Sequence, residues 1–404
     1  MGSDLQLNVV TFKKDAYVIV EGKNSNNLFF IIKAGQVCLV KEGSNNREML
    51  NPGDFFGVIA AMSNHNHLES AIALTDIMLI VVHKDQFPLL IQKNNPIAMK
   101  IILSFSRRLR ELDTSMAEIS LKSISTENVV NLFHIGEFYL KKNRYNLAFY
   151  AFFRFLQYCP DNEEYDLAKQ ILEKIKPYSK VLYLDPGKDD FKRNYTDNTM
   201  VCCEHEPGHE LYIIQGGQVK ITKVMDNKEV LLAVLKEGDI FGEMALLENK
   251  PRSATAIAYG SAQIMAVNKE NFKNMISSQP QLVTRLICLL AERTWVVYRQ
   301  LENLKITNKV GRTYDTLLIH LEKNKIQIKP HGTYSFDFGP NELINMVGMQ
   351  HDEGMIMIKE VFNNKKVQII DDRIYCSDIE EIKKQVDYYK KMEILDKKRK
   401  ASST

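Results

Sequence analysis

The sequence predicts an α+β chain of several domains. Three observations carry this. Short strands broken by Gly, Pro and Asn turns occur in two sets about 190 residues apart, a spacing far too long for a solenoid repeat. A long amphipathic helical pattern follows each set. Between the sets, small and aromatic residues alternate at the spacing of a helical hairpin. A chain of 404 residues has room for two to four domains.

Composition excludes little and locates the chain in a broad class. Hydrophobic residues make up 45% and charged residues 25%, as in an ordinary globular protein. A net charge of +3 does not by itself argue for nucleic acid. The six cysteines are scattered without a CxxC pair, which points to free thiols in a reducing compartment. The adjacent Cys202 and Cys203 are expected to be inert. The N-terminus shows no apolar signal-peptide core, and no run is long enough to span a bilayer, so a cytoplasmic location without membrane contact is expected.

The first strand set runs from about Val9 to Val82. Phe12–Val20 alternates and turns at Glu21-Gly22. Leu28–Ile32 is a buried strand closed by Ala34-Gly35. Val37–Val40 is another, followed by a turn over Glu42–Asn46. Asn51–Gly57 is a turn leading to a short strand, and Ile72–Val82 is a final strand pair. An amphipathic helix follows from Asn95 to about Leu121. Ile97, Ile101, Ile102, Phe105, Leu109, Leu112 and Met116 form its apolar side, and Arg107, Arg108 and Arg110 its solvated face.

The second set repeats this order. Glu206-Pro207-Gly208 precedes Leu211–Ile214, then Gly216-Gly217 and Val219–Ile221. Next comes Glu237–Ala258, the stretch richest in chemistry. Gly242 permits close approach of backbone to a ligand. The short run Met244–Leu247 opens a helix whose first amides lack intrahelical partners and suit an anion. Arg252 offers a positive fork that matches a phosphate. Glu243 is left to accept from hydroxyl groups, such as those of a ribose. A sugar phosphate satisfies all of these groups at once. The alternative is a structural Glu243–Arg252 ion pair in a turn–helix–turn between two strands.

On these residues the stretch closely resembles the phosphate-binding cassette of cyclic nucleotide-binding domains. The resemblance implies that Glu243 accepts the ribose 2′-hydroxyl, that Arg252 pairs with the cyclic phosphate and that Ser253 adds a contact to it. It implies a site built from Phe241, Gly242, Glu243, Met244, Ala245, Arg252, Ser253, Ala254 and Thr255. Both strand sets resemble the β-rolls of that family. The first departs from it: Val58 stands where the second has Glu243, and the loop Asn64–Ser70 holds no arginine. A cyclic phosphate there would be desolvated without a partner. The first roll is therefore expected to be a structural or dimer-forming module, or a pocket for another ligand. His65 and His67 in that loop are expected to be solvated rather than metal ligands.

Residues Thr126–Pro160 place Gly136, Tyr139, Ala148, Phe152 and Pro160 at the spacings of a tetratricopeptide repeat, which the segment resembles, with Phe155 where that family prefers a small residue. A further helix over Glu163–Lys176 would cap the hairpin. One repeat cannot bury its own face, so it packs on a neighbouring domain or recruits a protein partner over 126–176. Pro177–Asn198 reads as a polar linker. His205-Glu206-Pro207-Gly208-His209 matches the HExxH pattern of zinc proteases. Pro and Gly oppose the helix that chemistry needs, so a turn between strands is expected instead.

Pro280 opens a long helix to about Lys305. Val283, Ile287, Leu290, Thr294, Val297, Leu301 and Leu304 form a heptad seam, which suggests a homodimer through helix 280–305 or a helix buried on its own roll. Roll, long helix and the C-terminal elements together resemble the catabolite-activator-protein/FNR family. That resemblance, over Phe191 to Ile382, implies a C-terminal winged-helix-like domain after the second roll and its helix. With the resemblances above, the expected fold is two jelly-roll-like β-rolls each followed by a long helix, an α-helical hairpin between them and the winged-helix-like domain. The implied domains are 1–121, 122–180, 181–306, 307–382 and a basic tail, 383–404. Asn341–Met349 and His351–Phe362 would be the helix-turn-helix, and Val367–Tyr375 the wing. The second of these helices offers Asp352, Glu353 and large apolar residues where the family places phosphate-reading arginines. Acidic groups oppose the electrostatics of DNA binding, so a protein-docking role is expected at least as much as contact with DNA. Gly354 would weaken that helix by about 1 kcal/mol relative to Ala.

Family members that respond to cAMP place a Thr-Ser pair on the long helix against the adenine. The matching residues here are Val297, which cannot hydrogen-bond, and Tyr298, which can stack or donate. Trp295 either caps a purine or packs on the roll. The expected function is a non-enzymatic cyclic nucleotide receptor, with cAMP first and cyclic di-AMP or cGMP as alternatives. A DNA-binding regulator and a ligand-free scaffold are the other readings. No metal or catalytic set is expected.

Overall fold

The computed structural model describes residues 7–41, 47–121, 128–187, 190–225, 228–248, 250–347, 349 and 351–401. The turn expected over Glu42–Asn46 and the start of the hairpin at Thr126 lie outside them, as do Asn249 and Gly348. The chain forms two compact units. One gathers 82–108 and 125–290, the other 8–81, 109–124 and 291–404, each as far as it is described.

The first roll consists of β1 (Asn8–Phe12), β2 (Tyr17–Ile19), β3 (Leu28–Ala34), β4 (Val37–Val40), β5 (Arg47–Leu50), β6 (Phe55–Phe56), α1 (Val58–Ser63), β7 (Ser70–Ala73) and β8 (Ile77–His83). Its strands make two antiparallel sheets, in the orders β1-β8-β3-β6 and β2-β7-β4-β5. Alternate residues of both sheets face inward, so Ile19, Ile32, Val37, Leu39, Phe56 and Leu79 share one core. Helices α2 (Phe87–Lys93) and α3 (Asn95–Leu121) follow. α3 has the expected bounds, but its buried stripe is wider than the apolar seam. Ser106 and Arg110 are buried beside Phe105 and Leu109, so Arg110 is not part of a solvated face, while Arg107 is exposed.

The hairpin follows as α4 (Asn131–Lys141) and α5 (Tyr145–Tyr158), with α6 (Tyr165–Ile175) against α5. Gly136 lets the helices meet: a Cβ there would lie 2.8 Å from the Phe152 ring. The hairpin does not stand alone. Phe133, Tyr139, Phe152 and Phe155 share a core with Met200, Cys203 and Ile257 of the second roll. Polar contacts join it too: Arg144 pairs with Glu229 at 2.6 Å, and the Tyr139 hydroxyl donates to Glu229 at 3.0 Å.

The second roll holds β9 (Lys192–Tyr195), β10 (Met200–Cys202), β11 (Glu210–Met225), β12 (Lys228–Lys236), β13 (Ile240–Phe241), α7 (Glu243–Glu248) and β14 (Thr255–Asn268). Here the sheet runs β10-β14-β11-β12, with β13 on β11 and β9 on β14. β9 lies inside the segment expected to be linker. Its Arg193 is buried and forked onto both carboxylate oxygens of Glu210 at 2.7 Å, and that bidentate pair fixes the strand. The HExxH segment is a turn, with His205 at φ 70°, and not a helix. Cys202 and Cys203 are buried, and burial pushes the Cys202 thiol up to about 12.

α8 (Lys269–Ser278) and α9 (Pro280–Leu304) come next. Val283, Ile287, Leu290 and Thr294 of the seam are buried in the single chain. The C-terminal elements are α10 (Lys309–Lys323), β15 (Tyr334–Ser335), α11 (Pro340–Val347), α12 (His351–Phe362), β16 (Val367–Ile370), β17 (Arg373–Cys376) and α13 (Ile379–Ala401). Three strands pair in the order β15-β17-β16. The β16–β17 hairpin turns on Asp371 and Asp372, both at positive φ, as a two-residue turn of this hand requires. Gly354 serves packing: a Cβ there would collide with the Ile344 side chain of α11. Among the described residues no helix is long and apolar enough to cross a membrane.

Candidate functional site

The cassette of the second roll begins where β13 ends. Phe241 is buried against Tyr212 of β11, ring centroids 5.1 Å apart. Gly242 turns the chain at φ 76°, a left-handed conformation that favours glycine, and Glu243 starts α7. A Cβ on Gly242 would lie 2.6 Å from Nη1 of Arg252, so glycine is needed for space as well. Glu243, Met244 and Ala245 are buried. Ser253 and Ala254 are half-buried on the bend that leads to Thr255, which is buried at the start of β14.

Arg252 is the centre of this site. It is 4% exposed, unusual for a guanidinium, and that burial needs partners. Nη1 donates to the Gly242 carbonyl at 2.6 Å and Nη2 to the Tyr212 hydroxyl at 3.4 Å. The guanidinium lies 5.1 Å from the centroid of the Tyr212 ring, within cation–π range. Nε is buried with no hydrogen-bond partner among the described residues. A fixed cation with a spare donor, beside a backbone turn without a side chain, suits an anionic oxygen ligand.

A turn supports Arg252 from behind. Its N–H donates to the Glu206 carbonyl at 2.8 Å, and its carbonyl accepts from the His205 N–H at 2.8 Å. Pro207 and Pro251 form a β-bridge beside this pair. Gly208 lies flat against the guanidinium, where a Cβ would be 2.8 Å from Cζ. Glu206 itself is buried, and burial pushes its carboxyl up although Arg154 and Arg252 pull it down. The neighbouring Glu204 is buried and pushed up to about 7 by desolvation, with a hydrogen bond from the Val224 N–H opposing it. Burial, and then Lys223, lower His205 to about 4. That Tyr212, Glu206 and Gly208 pack around or behind Arg252 did not stand out in the sequence. The Glu206-Pro207-Gly208 turn marked the repeat, but that it backs the arginine is a tertiary fact.

The other strand set is built differently. Gly57 has φ 79°, and Val58 starts α1. The ten-residue step from Gly242 to Arg252 leads here from Gly57 to His67. His67 makes the corresponding backbone pairs, donating to Lys23 at 2.9 Å and accepting from Gly22 at 2.8 Å. It lies close to Gly57, whose Cβ would meet its Cε1 at 3.5 Å. His65 and His67 are buried, not solvated as the sequence suggested, because the loop folds inward in this register. Burial lowers His67 below the usual histidine range, so it is neutral at pH 7. His65 stacks on Trp295 with centroids 3.8 Å apart, and its Nε2 is 2.8 Å from Glu292. Lys41 lies over the Tyr298 ring at 4.2 Å and pairs with Glu302 at 2.8 Å. Trp295, Tyr298 and half-buried Val297 thus belong to the unit that holds the first roll, and Trp295 and Tyr298 pack against that roll. Among the described residues no group of three or more His, Cys, Asp or Glu could hold a metal ion.

The sequence profile of the cyclic nucleotide-binding domain matches residues 9–94 and 192–279, the two rolls just described. The chain belongs to the family of cyclic nucleotide-binding domain proteins. It is 28% identical over 164 residues to the CRP-like cAMP-activated global transcriptional regulator of Mycobacterium tuberculosis, covering 40% of this chain and 71% of the relative. It is 30% identical over 142 residues to the cAMP-activated global transcriptional regulator CRP of Pasteurella multocida, covering 35% and 68%. Among solved structures, the regulatory domain of Toxoplasma gondii PKA with cAMP aligns at 18% identity and a TM-score of 0.21, over 69% of this chain and 84% of that one.

Proposed function

We propose that this protein is a cyclic nucleotide receptor whose second roll binds cAMP and whose α9 helix passes the bound state to a C-terminal winged-helix-like regulatory domain. One observation carries the proposal. Arg252 is a buried cation with a spare Nε donor, bonded to the carbonyl of Gly242, and the buried Glu243 follows that glycine at the start of α7. A cyclic phosphate neutralises the arginine, and its ribose hydroxyl gives the carboxylate a neutral donor. The two curated relatives described above carry cAMP activation in their names, which favours cAMP over cyclic di-AMP or cGMP.

Polar contacts of α9 supply the outgoing route. Arg299 lies 3.3 Å from Asp315 and 3.2 Å from Glu322 of α10, and Asn303 donates to Asp315 at 3.0 Å. Arg312 donates back to the carbonyls of Leu304, the last residue of α9, and of Ile306 just beyond it. A change at α9 is therefore felt by α10, provided the nucleotide binds one state more tightly than the other.

A second reading concerns what that domain contacts. Met346, Met355 and Ile356 are exposed on α11 and α12, Ile356 by 72%, beside exposed Asp352 and Glu353. An acidic, apolar surface favours a protein partner over the phosphate backbone of DNA. Calorimetry with cAMP, cGMP and cyclic dinucleotides tests the ligand, and cAMP is expected to bind most tightly. Silence across the panel contradicts the receptor reading. A gel shift with genomic fragments at two salt concentrations tests the domain; a specific, nucleotide-dependent shift would restore the DNA-binding reading.

A further inference from the structure

We propose that Arg154, on helix α5 of the hairpin, is a positioning residue that tunes how strongly Arg252 holds a phosphate. The proposal rests on the cyclic nucleotide reading of that site. It assigns the hairpin a function beyond packing, as an input that sets the affinity of the pocket.

The contacts form a continuous path. Nε of Arg154 lies 3.1 Å from Oε2 of Glu206, and its Nη2 donates to the Tyr150 hydroxyl at 3.1 Å. That hydroxyl lies 3.3 Å from Oε1 of Glu206, which also accepts from the Cys203 N–H at 3.1 Å. Glu206 and Arg252 then exchange the backbone contact already described, and Gly208 seats the turn against the guanidinium. The carboxylate thus has Arg154 at ion-pair distance, while Arg252 meets the same residue through its backbone and acts on the carboxylate at longer range. Arg154 comes from the hairpin and Arg252 from the cassette, and Glu206 is buried between elements that carry them.

The physical consequence concerns competition. A buried carboxylate must be compensated, and two cations share that task here. With Arg154 in place, the hairpin supplies much of the compensation, and Arg252 keeps positive charge to offer an incoming phosphate. Without Arg154, the buried carboxylate is left with Arg252 as its nearest compensating cation among these groups, and its uncompensated negative charge opposes an incoming phosphate. Asp185, 3.9 Å from Arg154 but 69% exposed, cannot take the place of the buried acid. By linkage, whatever loosens the docked hairpin lowers nucleotide affinity, and bound nucleotide tightens the docking.

A double-mutant cycle read by calorimetry with cAMP on the full chain tests this. Arg154→Ala is expected to weaken binding about tenfold, which corresponds to about 1.4 kcal/mol. Glu206→Gln is expected to bind within about threefold of wild type, and Arg154→Ala/Glu206→Gln to recover to that level, because removing both charges removes the competition. Arg154→Lys should retain most of the affinity. Should Arg154→Ala fail to fold, Arg154→Met is read instead, since it keeps the stem against the Tyr150 ring, 5.0 Å from the guanidinium carbon. Wild-type affinity in a folded Arg154 variant overturns the proposal. Equal weakness in the single and double variants also overturns it, because a packing defect would not be rescued by Glu206→Gln. If wild type binds no cyclic nucleotide, the site reading and this proposal fall together, whereas normal wild-type binding with an indifferent Arg154 overturns this proposal alone.

Discussion

The two rolls share a cassette backbone and differ in its charges. Gly57 and Gly242 have nearly the same positive φ, 79° and 76°, and each precedes a six-residue helix. Ten residues on, His67 and Arg252 make the same pair of backbone hydrogen bonds to the turn behind them. Yet the first set reads Val58, His67 and Lys23 where the second reads Glu243, Arg252 and Glu206. Geometry is thus held by glycine and backbone pairing, while the side chains proposed to meet the ligand are the ones that differ between the two rolls. The first roll uses this freedom differently: its loop takes up Glu292 and Trp295 of α9 through His65.

The largest effect expected from breaking this contrast is at the arginine. Arg252→Ala should cost about 3–5 kcal/mol of cAMP binding, or about 10²–10⁴-fold, because the ligand phosphate is left buried and unpaired. His67→Ala should leave cAMP affinity unchanged. Equal losses in both variants would mean that both rolls bind.

The next effect is one of stability. The folded Glu204 carboxyl sits at about 7 against an ordinary value of 4.5, so the folded chain holds a proton that the unfolded chain has released. Stability from this group is therefore full below pH 4.5 and is lost as pH rises through 7. Glu204→Gln should stabilise the protein by about 2–3 kcal/mol at pH 8 and by nothing near pH 4, as read by urea unfolding at the two pH values. His205 works in the opposite sense. Its folded value of about 4 lies below the ordinary 6.5, so it costs stability as pH falls between them, and Glu204→Gln should leave that loss in place.

Smaller effects separate the two glycines. Gly242→Ala meets both the positive φ and the Arg252 guanidinium, and should cost about 2–3 kcal/mol with a fall in cAMP affinity. Gly57→Ala meets ordinary contact with His67 and should cost about 1 kcal/mol from φ alone, with affinity unchanged. Smallest is His65→Ala, which removes the Trp295 stack and the Glu292 contact and should lower stability by about 1 kcal/mol without touching nucleotide binding.

Much of this arrangement was legible in the sequence because periodicity and turn chemistry are local. The bounds of α3, the small residue at Gly136 and the Gly242–Arg252 spacing all follow from neighbours in the chain. The rest depends on which side chains are brought together from a distance. Arg154 carries no local signal of its role, which depends on Glu206 being brought to within 3.1 Å of it. His67 reads as a polar loop residue until its register against Lys23 buries it. Gly354 reads as a weak point in a helix until Ile344 is found against it. Strand β9 was hidden because its residues are polar, and its burial depends on the Arg193–Glu210 fork.

The central claim is that this chain carries one cyclic nucleotide site, in the second roll. Stoichiometry by calorimetry with cAMP, on wild type, Arg252→Ala and His67→Ala in parallel, tests it most directly. The account predicts one nucleotide per chain in wild type and His67→Ala, and none in Arg252→Ala at concentrations that saturate the others. Two nucleotides per chain, or saturable binding that survives Arg252→Ala, would contradict it.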